Sequence, residues 1–163
     1  MKILIAGDFH IPERAKNIPE KLKELAKESE LILCTGDFTS KETFKELKNL
    51  ANVFIAVKGN CDFLDLPSYA EFYLSGKRVG LIHGDIFGRG NKEKMLNFAM
   101  ERKLDVLISG HTHKPEVWKE KDILFLNPGS ATSALSGNLE SYGKTAILVR
   151  IEGEEWKIEK IIL

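Results

Sequence analysis

The sequence predicts an α/β fold: two packed mixed β-sheets flanked by helices. Three observations lead to it. Near the start, three short apolar runs alternate with two segments of helical periodicity, as βαβ crossovers in a parallel sheet require. Further along, three pairs of strand-like runs are joined by compact turn signals, as antiparallel hairpins require. The internal runs are apolar throughout, which suits strands covered on both faces. The 163 residues contain no linker, repeat or low-complexity tract, so the chain reads as a single domain over 1–163. That length supports a core without disulfide or metal staples.

The elements follow in order. "KILIA" (2–6) is a buried strand. A helix from about Pro19 to Glu28 places Ile18, Leu22, Leu25 and Ala26 on one face, with Pro19 in its first turn. "LILCT" (31–35) is the second strand, and Cys34 within it belongs to the core. Thr39 and Glu42 have capping-box spacing ahead of a helix whose face carries Phe44, Leu47, Leu50 and Ala51. "VFIAV" (53–57) is the third strand. "AEFYL" and "RVGLI" flank Ser75-Gly76-Lys77 as a hairpin. A helix from about Asn91 to Arg102 and the strand "DVLIS" (105–109) come next. "EVWKE" with "ILFLN" is a second hairpin; "TAILVRI" with "EWKIEKIIL", bracketing Glu152-Gly153-Glu154, is a third.

Composition narrows the partners. Lys plus Arg and Asp plus Glu number 24 each, so the formal charge is zero and no general grip on nucleic acid or membrane is expected. The apolar stretch in "MKILIAGDFH" is too short for a secretory leader, and no run is long enough to span a bilayer. Cys34 and Cys61 form no C-x-x-C pair, and the reading is cytoplasmic.

Polar residues cluster where the apolar runs end. The first ends in Gly7-Asp8-Phe9-His10, the second in Gly36-Asp37, the third in Gly59-Asn60-Cys61-Asp62. "RVGLI" ends in His83-Gly84-Asp85 and "DVLIS" in Gly110-His111-Thr112-His113, so all four histidines of the chain fall in the set. Any one fragment could be a turn former or a helix cap. Together they lie where α/β sheets bind ligands, beyond the carboxyl ends of the strands. Imidazoles, carboxylates and one amide, without thiolate dominance, suit Mn²⁺, Fe, Zn²⁺ or Ni²⁺. The set is too large for one tetrahedral zinc, whereas two ions sharing a carboxylate would use it fully.

"GDFH", "GDF", "GNCD", "IHGD" and "SGHTH" occur in the order and spacing of the calcineurin-like metallophosphoesterases, and the resemblance spans essentially the whole chain. "GDFHIPER", "LCTGD", "LISGHTHKPE" and "NPGSAT" look like the retromer subunit Vps29; "GNCD" looks like the bacterial YfcE-type phosphodiesterases. The resemblance implies a four-layer α/β/β/α sandwich and two divalent ions per chain, Mn²⁺ foremost, with Ni²⁺, Zn²⁺, Fe²⁺ or Mg²⁺ as alternatives. It implies that Asp8, His10 and His113 hold the first ion, that Asn60, His83 and His111 hold the second, and that Asp37 bridges them. Asp37, Asn60 and His83 are the expected catalytic residues. The implied activity is hydrolysis of a phosphate ester, foremost a diester, by hydroxide held between the ions. The family often forms dimers or tetramers, so a homodimer or homotetramer is a possible assembly.

Larger family members carry "GNHE", whose histidine is thought to protonate the leaving group; this chain has Cys61 there. An ordinary thiol is a poorer acid at neutral pH, so good leaving groups should be preferred. Asp62 is expected to orient a ligand histidine. No catalytic role is assigned to Ser130 in "NPGSAT" (127–132), and Trp118 and Trp156 are read as packing or interface residues. The span from about Ser133 to Gly143 reads as a mobile loop bordering the crevice or an oligomer contact. The rival reading is a Vps29-like scaffold that binds a protein partner without catalysis.

Overall fold

The computed structural model describes residues 1–163. The first apolar runs form β1 (Lys2–Ala6), β2 (Leu31–Cys34) and β3 (Val53–Ala56), joined through α1 (Glu20–Lys27) and α2 (Lys41–Leu50). They pair in parallel, Ile3 beside Leu31 and Leu31 beside Val53. The hairpin β4 (Tyr69–Leu74) and β5 (Lys77–Ile82) opens a second sheet. It continues through α3 (Lys92–Glu101), β6 (Val106–Ile108), β7 (Pro115–Glu120) and β8 (Ile123–Pro128). The chain then returns to the first sheet as β9 (Thr145–Glu152) and β10 (Glu155–Ile162). Strand orders are β10-β9-β1-β2-β3 and β4-β5-β6-β8-β7. Each five-stranded sheet is mixed: β1, β2 and β3 run parallel in one, β5, β6 and β8 in the other, with antiparallel strands completing both.

The unbroken apolar runs are explained by burial on two faces. Ile3, Ile5, Leu31 and Leu33 point between the sheets and meet Val79, Leu81, Val106 and Ile108. Their neighbours Leu4, Ala6, Ile32 and Cys34 point the other way, onto Leu22 and Ala26 of α1 and Leu47 of α2. On the far side, Leu107 and Phe125 pack with Met95, Leu96 and Ala99 of α3. The four layers follow from this alternation of side chains.

One predicted cap differs. Ser40, not Thr39, caps α2: its hydroxyl accepts the Thr43 N–H at 3.1 Å. Thr39 is drawn away, its N–H bound to Asp62 Oδ1 at 2.9 Å and its hydroxyl to the Ile11 carbonyl at 2.8 Å. The loop between β2 and α2 therefore serves the strand ends first and the helix second. No helix is long and apolar enough to cross a membrane.

Candidate metal centre

All seven residues singled out in the sequence meet in one crevice, beyond the carboxyl ends of β1, β2, β3, β5 and β6. They form two adjoining groups. In the first, His10 Nε2 lies 3.2 Å from His113 Nε2, and His113 Nε2 lies 3.4 Å from Asp8 Oδ1. In the second, Asn60 Oδ1 lies 2.9 Å from His83 Nε2 and 3.0 Å from His111 Nδ1. Asp37 stands between them: its Oδ2 is 3.3 Å from His10 Nε2 and 3.4 Å from His83 Nε2.

The backbone makes this convergence possible at a cost. Asp8, His10, Asp37, His111 and His113 all have positive φ, between 48° and 70°. Each such residue costs on the order of 1 kcal/mol or more, and asparagine, aspartate and histidine tolerate the region best. Close approach also fixes two glycines. A Cβ on Gly59 would lie 2.0 Å from Asp37 Oδ1, and one on Gly110 would lie 2.7 Å from Asp8 Oδ2.

Surrounding groups hold the donors in place. His83 Nδ1–H donates to the Thr35 carbonyl and His113 Nδ1–H to the Ala134 carbonyl, each at 2.8 Å. Both bonds leave Nε2 as the atom that faces the crevice. The Cys61 N–H donates to Asp37 Oδ1 at 2.8 Å, and the His111 N–H to Asp8 Oδ2 at 3.0 Å. Asp62 does not orient a histidine, contrary to expectation. Its carboxylate accepts the N–H groups of Asp37, Thr39 and Gly59 at 2.8, 2.9 and 2.8 Å, which staples the loops after β2 and β3 together.

Sequence reading missed the supports from the end of β8 and the loop after it. The Ser130 hydroxyl donates to the Asp8 carbonyl at 2.8 Å, and the Thr132 hydroxyl to the Phe9 carbonyl at 2.7 Å. Asn127 Nδ2 donates to the Gly110 carbonyl at 3.1 Å. The 133–143 segment borders the crevice: its Ala134 carbonyl accepts the His113 Nδ1–H, and its Leu135 carbonyl accepts Arg14 Nη1–H at 2.9 Å.

Charge within the group is uneven. Burial is the largest single influence and would raise Asp37 and lower His83, but their mutual hydrogen bond, the neighbouring charges and the backbone bonds together outweigh it: Asp37 is held at about 2 and His83 at about 9. Burial dominates at His10, pulling it to about 4 despite Asp37 and Asp8. The Cys61 thiol is pushed up to about 11 by burial and then by the Asp37 charge.

These residues fit divalent cations. Asp8 Oδ1 is fully buried and has no hydrogen-bond partner, an expensive arrangement for a carboxylate oxygen beside the His113 and His10 imidazoles. Its ligand atom groups with those of His10 and His113, and again with those of Asp37 and His83. Hard oxygens and borderline imidazoles are the donor mixture such ions take.

A family profile for the calcineurin-like phosphoesterase superfamily domain matches residues 1–152. The chain belongs to the calcineurin-like phosphoesterase superfamily. This superfamily member is 38% identical to a probable metallophosphoesterase of Methanothermobacter thermautotrophicus, over 99% of this chain and 92% of that protein. It is 42% identical to a probable metallophosphoesterase of Methanocaldococcus jannaschii, over 81% of this chain and 69% of that protein. Among solved structures it resembles Entamoeba histolytica Vps29 complexed with Zn²⁺, with a TM-score of 0.87, 30% identity, and 99% and 98% of the two chains covered. Chaetomium thermophilum Vps29 gives 0.88 and 27%, over 99% and 97%. Both calcineurin-like and Vps29 resemblances read from the motifs are thus borne out, as is the two-sheet fold.

Proposed function

We propose that this chain is a divalent-metal-dependent phosphoesterase, foremost a phosphodiesterase, whose residues 1–163 form one catalytic domain with two ions. Asp8, His10 and His113 would hold the first ion, Asn60, His83 and His111 the second, and Asp37 both. Mn²⁺ suits this donor set, with Ni²⁺, Zn²⁺, Fe²⁺ and Mg²⁺ as alternatives. The observation that carries the reading is the placement of Asp37 Oδ2, within 3.4 Å of an imidazole nitrogen from each group.

Bound ions would acidify a water and offset charge on the phosphoryl oxygens. The remaining steps belong to the side chains. Asp8 and Asp37 supply the negative charge that retains the cations. The Nδ1 bonds of His83 and His113 keep the imidazoles turned toward the centre. Asn60, exposed at the rim with Oδ1 facing inward and one Nδ2–H donated to Cys61 Sγ at 3.4 Å, would offer its second Nδ2–H to a phosphoryl oxygen. Cys61 keeps its proton at neutral pH and surrenders it reluctantly, so aryl esters should outrun alkyl esters.

Hydrolysis of bis(p-nitrophenyl) phosphate with Mn²⁺ or Ni²⁺ tests the proposal. Turnover lost in Asp37→Asn with the fold retained supports it, as does a metal content near two per chain. No turnover with any divalent ion favours the second reading, a protein-binding scaffold. That reading draws on the likeness to Vps29 structures. Cys61→His should raise turnover of alkyl relative to aryl esters by about tenfold or more. An unchanged ratio removes the leaving-group argument.

A further inference from the structure

A cleft of about 620 Å³ opens directly beside Asn60. That size falls in the range of small-molecule sites. Its walls are unusual for the edge of a polar centre. Phe63, three residues after Asn60, is 93% exposed, and Ile86, three residues after His83, is 58% exposed. Phe98 also lines the cleft, held edge-on against Tyr69 and Phe87 at centroid distances of 5.6 and 5.3 Å. Folding does not account for Phe63: the ring is almost wholly in water and contributes little to any core.

Two cations share this cleft. The Arg102 guanidinium lies 3.7 Å from the Phe98 ring centroid and 5.4 Å from that of Tyr69. Its nearest carboxylate is the exposed Glu101, at 3.9 Å. Lys58 has no carboxylate within salt-bridge distance. Two carboxylates also line the cleft: Asp62, already engaged by three backbone N–H groups, and the exposed Asp85, which stands in no ion pair. The hollow lined by Thr112 also holds cations: Lys114, paired with Glu116 at 3.1 Å, Lys92, over the Trp118 ring at 4.9 Å, and Arg89. It differs in its walls, where Tyr142 is the one aromatic residue.

We propose that the cleft beside Asn60 is a substrate subsite for a nucleotide group. The base would stack on Phe63 and the Ile86–Phe98 wall, and a second phosphate would meet Lys58 and Arg102. The inference rests on the phosphoesterase reading, which places the scissile phosphate at Asn60. An alkyl group would satisfy the rings and leave the cations unused. An inorganic anion would satisfy the cations and leave the rings wet. A planar base joined to a phosphate uses both, through stacking and a guanidinium–phosphate contact.

Three esters test it: methyl p-nitrophenyl phosphate, the p-nitrophenyl ester of thymidylate, and that ester carrying a second phosphate on the sugar. The expected order of kcat/KM rises along the series. Phe63→Ala should lower the ratio of thymidylate ester to methyl ester by about tenfold, with the loss in KM. Arg102→Gln should remove most of the advantage of the second phosphate. Ratios that do not change in either variant overturn the inference. Calorimetry with thymidine bisphosphate and Mn²⁺ gives a readout independent of turnover. Absence of binding to the wild-type chain overturns the subsite and leaves the cleft to a polypeptide. Hydrolysis of none of the esters, with the nucleotide still bound, overturns the hydrolase reading instead.

Discussion

The two sheets bring different chemistry to one centre. The first delivers the oxygen donors Asp8, Asp37 and Asn60 with a single imidazole, His10; the second delivers imidazoles only, His83, His111 and His113. The countercharge for a cation therefore comes from one side, and most of the neutral nitrogen donors from the other. Neither sheet alone carries the full set of proposed ligands, so ion binding would need both sheets in place.

Asp37 is where the contrast is sharpest, because its Oδ2 faces an imidazole from each sheet. Asp37→Asn should cost about 10³-fold in kcat with the circular dichroism spectrum intact. A loss below tenfold would mean that the two sides act independently. Asp62 tests the first sheet alone. Asp62→Ala strips the acceptor from three buried or half-buried N–H groups, and should lower the unfolding free energy by about 3 kcal/mol in urea titration.

Protonation sharpens the comparison further. His10 and His83 are both within 3.4 Å of Asp37 Oδ2, yet His10 sits near 4 and His83 near 9. At pH 7 these values leave His83 charged and His10 neutral in the metal-free chain. A bound cation must displace the His83 proton, so affinity should fall about tenfold per pH unit below about 9. The matching loss from His10 begins only as pH falls through about 4. For the metal-free chain the signs are as follows. The raised His83 stabilises fully below 6.5 and loses its effect as pH rises through about 9. The lowered Asp37 stabilises above 3.8 and loses its effect as pH falls through about 2. The lowered His10 resists protonation, so its term disfavours folding as pH falls from 6.5 to about 4. Histidine NMR titration and Mn²⁺ calorimetry at several pH values check both sets. The smallest effect is expected at Ser130. Ser130→Ala should cost about 1 kcal/mol of stability and about tenfold in metal affinity, measured by competition with a chelator.

Much of this arrangement was legible in the sequence because it is local. Unbroken apolar runs reveal strands covered on both faces, and aspartate or histidine after a glycine reveals a strand end turned toward a ligand. The seven candidate donors were legible only as a set, through the joint occurrence of five strand-end motifs and their likeness to a known family. Ser130, Thr132 and Asn127 were not, because a hydroxyl or amide that holds a distant carbonyl leaves no spacing to read. The same holds for Asp62, whose three contacts are to backbone N–H groups, and for Ser40, which became the cap because Thr39 was claimed elsewhere. Phe63 and Arg102 carried no motif; only their exposure and their common cleft set them apart.

The bonds from Ser130 to Asp8 and from Thr132 to Phe9 span more than 120 residues, and β9 completes the sheet beside β1. During synthesis, the earliest part of the crevice thus waits for segments more than 120 residues later to leave the ribosome. Metal capture would follow that closure, and a nascent chain arrested before residue 127 would have the histidines without the latch that steadies them.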